Sequence, residues 1–206
     1  MGISLLNIDC IEYMSTVQDK FFDLAIVDPP YGIDINMNMG RQKGKAKVHA
    51  DKDWDMSAPN KAYFDELERV SKFRIIWGGN YFDLPKTKSW MFWDKAVPDG
   101  VSFAAGELAW TSGDKTLRMI KVPYSGFNGT EGKIHPTQKP VALYRWLLKN
   151  YAKEGDKILD THLGSGSIAL ACHDYKLDLT ACEIDKDYFE AANKRYLNHI
   201  AQTVLF

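Results

Sequence analysis

The chain has few of the residues that would place it outside the cell or in a membrane. Its three cysteines, Cys10, Cys172 and Cys182, form neither a C-x-x-C pair nor an even framework, which points to reduced thiols in a cytosol. Its five histidines, His49, His135, His162, His173 and His199, include no H-E-x-x-H or comparable spacing, so no metal site is expected. No apolar run approaches the ~20 residues of a membrane span, and the start lacks a basic stretch followed by an apolar one, so a cytoplasmic protein with no membrane contact is expected. Met1-Gly2 opens like a myristoylation signal, but Leu6 stands where Ser or Thr is needed. No Ser/Gly/Pro linker divides the 206 residues, so one domain spanning 1–206 is the simplest organisation. A net charge of -1 excludes a generally basic surface, and any contact with nucleic acid has to come from a local patch.

What the chain does have is Asp28-Pro29-Pro30-Tyr31 at the end of the apolar run Leu24-Ala25-Ile26-Val27. Two consecutive prolines cannot continue a helix or donate to a central strand, so the backbone leaves a sheet there in a stiff turn. Asp28 and Tyr31 then sit at a strand's carboxyl end, where open α/β sheets bind ligands. A carboxylate, the Pro29 carbonyl and a flat ring suit a planar substrate with an exocyclic amino group, such as adenine or cytosine. Taken alone, the tetrapeptide also fits a rigid turn with a solvated Asp and a packed Tyr.

In chain order, strands are expected at 3–7, 23–27, 74–77, 89–93, 107–111, 115–122, 157–160 and 179–182. Helices are expected at 11–14, 62–72, 140–152, 168–175 and 187–201. The first two strands both end in an acid, Asp9 and Asp28, and are expected to lie side by side along a crevice. Trp90, Trp93 and Trp110 read as sheet packing rather than base stackers. Between 33 and 55 periodicity vanishes, and Arg41, Lys43, Lys45 and Lys47 stand with no acid between residues 36 and 49. This reads as a mobile, DNA-binding arm that orders on phosphate, or as a loop that is simply solvated. A small recognition insert is expected at about 112–134.

The last third carries strand, glycine turn, helix, strand, acid, helix, which is half of a doubly wound nucleotide-binding fold. Gly164 and Gly166 let the backbone approach a ligand, and Glu183 lies where an acid accepts hydrogen bonds from ribose hydroxyls. Ile168-Ala169 continues where the third glycine of a dinucleotide fingerprint belongs, and Asp160 would face a phosphate with like charge. A cationic amino acid-nucleoside fits better than a dinucleotide.

These residues, with His135-Pro136-Thr137-Gln138-Lys139-Pro140, resemble the amino-methyltransferases of DNA that use S-adenosylmethionine. The catalytic turn precedes the cofactor motifs, as in the permuted beta class of adenine-N6 and cytosine-N4 enzymes. The resemblance covers residues 4–31 and 133–197. It implies an α/β fold: a single-domain, seven-stranded, mostly parallel, doubly wound, Rossmann-like methyltransferase sheet, circularly permuted so that the two chain ends are adjacent. It implies S-adenosyl-L-methionine as cofactor, double-stranded DNA as partner, and a prokaryotic or phage-encoded enzyme; a homodimer is compatible with it.

Residue by residue, Asp28, Pro29, Pro30 and Tyr31 would be catalytic, with Asp28 also bordering the cofactor. Asp160, Gly164, Ser165, Gly166 and Ser167 would hold the cofactor's methionine part and Glu183 its ribose. Asp9 would reach the adenine amino group, with Cys10 and Ile184 on the adenine faces, and His135 and Thr137 would pass beside the methionine end. The family loop reads Asp-Pro-Phe-x-Gly-Ser-Gly-Thr where this chain has Asp160-Thr161-His162-Leu163-Gly164-Ser165-Gly166-Ser167. His162 therefore replaces an aromatic beside the cofactor, a departure that bears on cofactor affinity and its pH dependence. Asp rather than Ser at position 28 favours adenine over cytosine within the resemblance. An N4-cytosine enzyme, an RNA or nucleotide methyltransferase, and a silent nucleic-acid-binding module are the alternatives.

Overall fold

A computed structural model describes residues 2–33, 57–98, 100, 104–124 and 134–203. The basic run with Arg41, Lys43, Lys45 and Lys47, and the 125–133 part of the expected insert, lie outside the described residues.

The described residues form one sheet of eight strands: β1 (Ile3–Leu6), β2 (Phe22–Val27), β3 (Ser71–Trp77), β4 (Trp90–Asp94), β5 (Gly106–Thr111), β6 (Arg118–Lys121), β7 (Lys157–Asp160) and β8 (Asp178–Cys182). Their order is β1-β8-β7-β2-β3-β5-β4-β6. The strands from β1 to β3 in that order all run parallel, whereas β5 is antiparallel to both β3 and β4. The count exceeds the seven implied by family resemblance because β6 adds, parallel, outside β4, with Ile120 buried against the sheet.

Two further expectations change. β1 and β2 are not side by side: β8 and β7 lie between them. The strand expected over 115–122 shortens to Arg118–Lys121, and only Ile120 of its four residues is buried. The adjacency of the chain ends holds, since β1 pairs with β8 from Ile3 opposite Leu179 to Leu6 opposite Cys182.

Helices cover both faces, and the alternation of β2 explains why its whole run is apolar. Leu24 and Ile26 point to one face, packed with Leu143 and Leu147 of α3 (Val141–Tyr151) and Ile168 and Ala169 of α4 (Ser167–Asp174); Ala192 of α5 (Lys186–Thr203) joins the same core. Ala25 and Val27 point to the other, packed with Met14 of α1 (Cys10–Ser15) and Tyr63, Leu67 and Val70 of α2 (Lys61–Val70). Each fully buried Leu or Ile here contributes roughly 1.5–3 kcal/mol over exposure.

α2 starts where the Asn60 side chain accepts the Tyr63 amide at 3.2 Å, and passes directly into β3 at Ser71. Trp93 and Trp110 are core, as their sequence context suggests, and the Trp90 indole donates to the Thr87 carbonyl. Among the described residues no helix is long and apolar enough to cross a membrane.

Candidate active site

Because β1, β8, β7, β2 and β3 are parallel, their carboxyl ends share one edge, and four acids follow them in sheet order: Asp9, Glu183, Asp160 and Asp28. Adjacent strands lie about 4.8 Å apart, so Asp160 at the end of β7 and Asp28 beyond β2 are neighbours. The early turn and the late glycine loop therefore meet.

Asp28 is held from two sides. The Tyr31 hydroxyl donates to its Oδ1 at 2.7 Å, and the Lys139 ammonium donates to its Oδ2. Lys139 also lies 3.1 Å from Glu107 Oε2, and Lys95 contacts Glu107 Oε1 at 2.5 Å. The Lys139 side chain is 2% exposed and stands 5.3 Å from the centre of the Trp77 ring. The result is a ladder of alternating charge, Asp28, Lys139, Glu107, Lys95, drawn from the turn after β2, the segment before α3, the start of β5 and the residue after β4.

Burial pushes the Asp28 carboxyl up from the usual range against the pull of Lys139. Burial acts the same way on Glu107, but Lys139 and Lys95 outweigh it and hold Glu107 below the usual range. On Lys139, burial favours the neutral amine, and the two carboxylates overcome it and keep the group charged.

The Tyr31 ring stacks on Tyr81, centres 5.0 Å apart at 17°, with Phe82 edge-on at 6.1 Å. Gly78 makes this possible. It closes β3 at φ +67°, and a Cβ there would stand 2.2 Å from Tyr31 Cε1 and 2.6 Å from both neighbouring ring atoms, which places it over the ring face. Only a glycine fits the conformation and the contact together.

In the late loop, Gly164 and Gly166 have φ of +52° and +72°, and the Gly166 backbone leads straight into α4. The Gly164 amide donates to Glu183 Oε2 at 2.8 Å and the Asp185 amide to Glu183 Oε1 at 3.0 Å, so Glu183 is fixed against the loop. Ser165 and Ser167 are buried, their hydroxyls 3.1 Å apart, with Arg195 donating to Ser167 Oγ at 2.9 Å.

Asp160 is buried, accepts the His162 amide at 3.0 Å, and has no ion pair among the described residues. Burial, with Asp28 and Glu183 adding, pushes its carboxyl up to about 8. His162 packs its ring edge-on to Tyr63 at 5.6 Å, and Thr161 Oγ1 lies 2.9 Å from its Nδ1. Burial lowers this imidazole to about 4, so at neutral pH it is an uncharged ring.

Asp9 caps α1, its Oδ1 accepting the Ile11 and Glu12 amides at 2.8 and 3.0 Å. Cys10 beside it is half-buried, its thiol pushed by burial up to about 12 and so protonated. Ile184 is 70% exposed, an uncovered apolar side chain directly after Glu183. His135 packs on Tyr188 at 4.5 Å beside Gly164, and its Nδ1 lies 3.2 Å from the Thr137 hydroxyl.

Reading the sequence singled out the segment from 135 to 140 but gave Lys139 no role, and passed over Glu107 and Lys95. The signal was available. Glu107 stands in the strand Gly106-Glu107-Leu108-Ala109-Trp110-Thr111, and a charge within an apolar strand requires an opposite charge nearby.

An open, parallel-centred sheet with a glycine loop and acids on its carboxyl edge defines a doubly wound α/β enzyme that binds a nucleoside-like ligand. The N6/N4 methyltransferase family model, described as DNA methylase, matches residues 76–194, more than half of the chain, and this protein belongs to that family. It is similar to the type II methyltransferase M.HpaI of Haemophilus parainfluenzae, 25% identical over 95% of this chain and 74% of that protein. It is also 25% identical to the putative methylase YubD of Escherichia coli K12, over 91% of this chain and 87% of that protein. Its fold matches the structure of the M1.HpyAVI-SAM complex, with TM-score 0.61, 21% identity, and 94% of this chain and all of that one covered. It also matches PvuII DNA methyltransferase (cytosine-N4-specific), with TM-score 0.64 and 13% identity over 95% of this chain and 86% of that one.

Proposed function

We propose that this DNA methylase transfers a methyl group from S-adenosylmethionine to the N6 amino group of adenine in double-stranded DNA. The observation that carries the reading is the meeting of Asp28 with the Asp160 to Ser167 loop across adjacent strands.

The residues of the late loop fit the cofactor. Asp160 is a buried acid with no cation beside it among the described residues, and a cationic ligand is what its environment favours. The left-handed glycines open the backbone and Glu183 retains lone pairs for ribose hydroxyls; the exposed Ile184, with Cys10 and Asp9, is assigned to the adenine. When bound, the cofactor supplies a methyl group already activated by its sulfonium.

The chain's own task is then orientation and electrostatics. An exocyclic amine is a poor nucleophile because its lone pair is delocalised into the ring. The Asp28 carboxylate and the Pro29 carbonyl accept its two hydrogens and favour a pyramidal nitrogen, Pro30 keeps the turn stiff, and Tyr31, packed on Tyr81 and Gly78 with its hydroxyl on Asp28, borders the extruded base and holds the carboxylate. Contact with the duplex is assigned to Arg41, Lys43, Lys45 and Lys47.

The test is nucleoside analysis of duplex DNA treated with the protein and labelled cofactor. N6-methyladenine is expected, and only N4-methylcytosine would overturn the choice of base. Asp28→Ala should abolish transfer while calorimetric cofactor affinity stays within about threefold; surviving turnover would remove Asp28 from the chemistry.

A further inference from the structure

We propose that Lys139, backed by Glu107 and Lys95, is a positioning residue that holds Asp28 as a fixed carboxylate able to accept the hydrogens of the substrate amine. This deepens the methyl-transfer reading above and rests on it. Lys139 acts through Asp28, and the argument starts from how many ways that carboxylate could otherwise turn or titrate.

A carboxylate has about four lone-pair sites. Lys139 takes one on Oδ2 and the Tyr31 hydroxyl takes one on Oδ1, so the plane of the group is fixed and one site on each oxygen is left over. Protonation would convert one of those acceptors into a donor, and a donor facing an amine hydrogen repels it. The buried setting favours that protonation, so something has to oppose it.

The charged and titratable groups facing Asp28 come from every side. Tyr31 is on its own turn, Glu107 on β5, Asp160 at the end of β7, Tyr63 on α2, Tyr144 on α3 and Lys139 just before α3. Burial raises the three tyrosines well above 10, so they are neutral. Glu107 favours the protonated acid, whereas Asp160, itself protonated below about 8, adds little at neutral pH. Lys139 is the cation in contact, and it is shared with Glu107, which Lys95 in turn partly neutralises.

The ladder thus makes a paired prediction of opposite sign. Lys139→Met removes the cation that favours the Asp28 carboxylate, whereas Glu107→Gln removes an anion that disfavours it and leaves Lys139 to Asp28 alone. A residue that merely supports the fold would lower activity in both variants by a factor independent of pH.

The experiment measures kcat for methyl transfer to duplex DNA against pH at saturating cofactor. It also follows the Asp28 carboxyl carbon by NMR, its resonance identified by its loss in Asp28→Asn. In Lys139→Met the acidic limb and the resonance midpoint should move up by about a pH unit or more, with kcat falling roughly tenfold per pH unit below the shifted limb and recovering as pH rises above it. In Glu107→Gln both should move down by about half a unit or more, and Lys139→Arg should keep the wild-type limb. Limb and midpoint unmoved in Glu107→Gln would overturn the proposal, even if Lys139→Met failed to fold. If the wild type methylated no DNA while the midpoints still moved in opposite directions, the ladder would stand and the methyl-transfer reading would fall.

Discussion

Asp160→Asn should make the protein more stable and less able to bind its cofactor, and the two effects should separate with pH. The side chain is 2% exposed, and its carboxyl is pushed by burial from 3.8 up to about 8. The unfolded chain releases this proton near pH 4, and the folded chain releases it only near 8. Folding therefore takes up a proton across that window, and stability falls as pH rises through it. Each pH unit inside the window costs about 1.4 kcal/mol, so between pH 6 and pH 9 the wild type loses about 3 kcal/mol through this one group. Asparagine has the same shape, can still accept the His162 amide, and does not titrate. The midpoint of Asp160→Asn minus that of the wild type, in cofactor-free thermal melts, should accordingly grow by roughly 5–10 °C from pH 6 to pH 9. Other titrating groups largely cancel in that difference. S-adenosylmethionine should raise the wild-type midpoint more at pH 9 than at pH 6, and should hardly move the variant. A midpoint difference that stays flat across the range would refute both the buried-acid account and the place given to Asp160 in cofactor binding.

Gly78→Ala should cost about 1–2 kcal/mol from its left-handed backbone alone. It should also lower kcat, because the new Cβ would stand 2.2 Å from Tyr31 Cε1 and that ring is tied to Asp28. Calorimetric cofactor affinity should be unchanged, and an unchanged kcat would exclude Tyr31 from the chemistry. His162→Phe should leave the pH dependence of cofactor affinity as it is between pH 6 and 8, since an imidazole at about 4 is neutral throughout. A base held below its unfolded value near 6.5 contributes stability that is present above pH 6.5 and lost toward pH 4. His162→Phe should therefore recover roughly 1–2 kcal/mol near pH 4 after allowance for the ring's partial exposure, read from urea melts at pH 4.5 and 7.

The pieces of the fold were legible because each obeys a local rule. The apolar run of β2, the helical spacing of α3 and the glycines that precede α4 can be read residue by residue, and the strand segments read that way number eight. The family's seven-stranded plan misses β6, a four-residue strand with one buried side chain whose place is decided by β4 rather than by its own pattern. Order within the sheet was not legible, because it depends on which strand edges remain open once others have paired. That is why Asp9 and Asp28 turn out to have two strands between theirs. Lys139 eluded the reading for a related reason: its partner Asp28 is 111 positions away, and an ion pair leaves no periodicity in a sequence.

The permuted order makes the site depend on both chain ends at once. β1 supplies the edge that β8 needs, since Asn7 donates its side-chain amide to the carbonyls of Glu183 and Ile184 at 2.7 and 3.2 Å, and the Glu183 amide donates to Leu6 at 2.9 Å. Glu183 in turn accepts the amide of Gly164, so the opening residues of the chain help set the glycine loop of its last third. The early half receives the reverse favour from Lys139, which closes on Asp28 across the same edge. The two buried acids differ: among the described residues Asp160 has no ion pair, whereas Asp28 is paired with Lys139. That difference supports the roles proposed for them: a buried acid without an ion pair suits a cationic cofactor, while the acid paired with Lys139 has remaining lone pairs for a neutral amine.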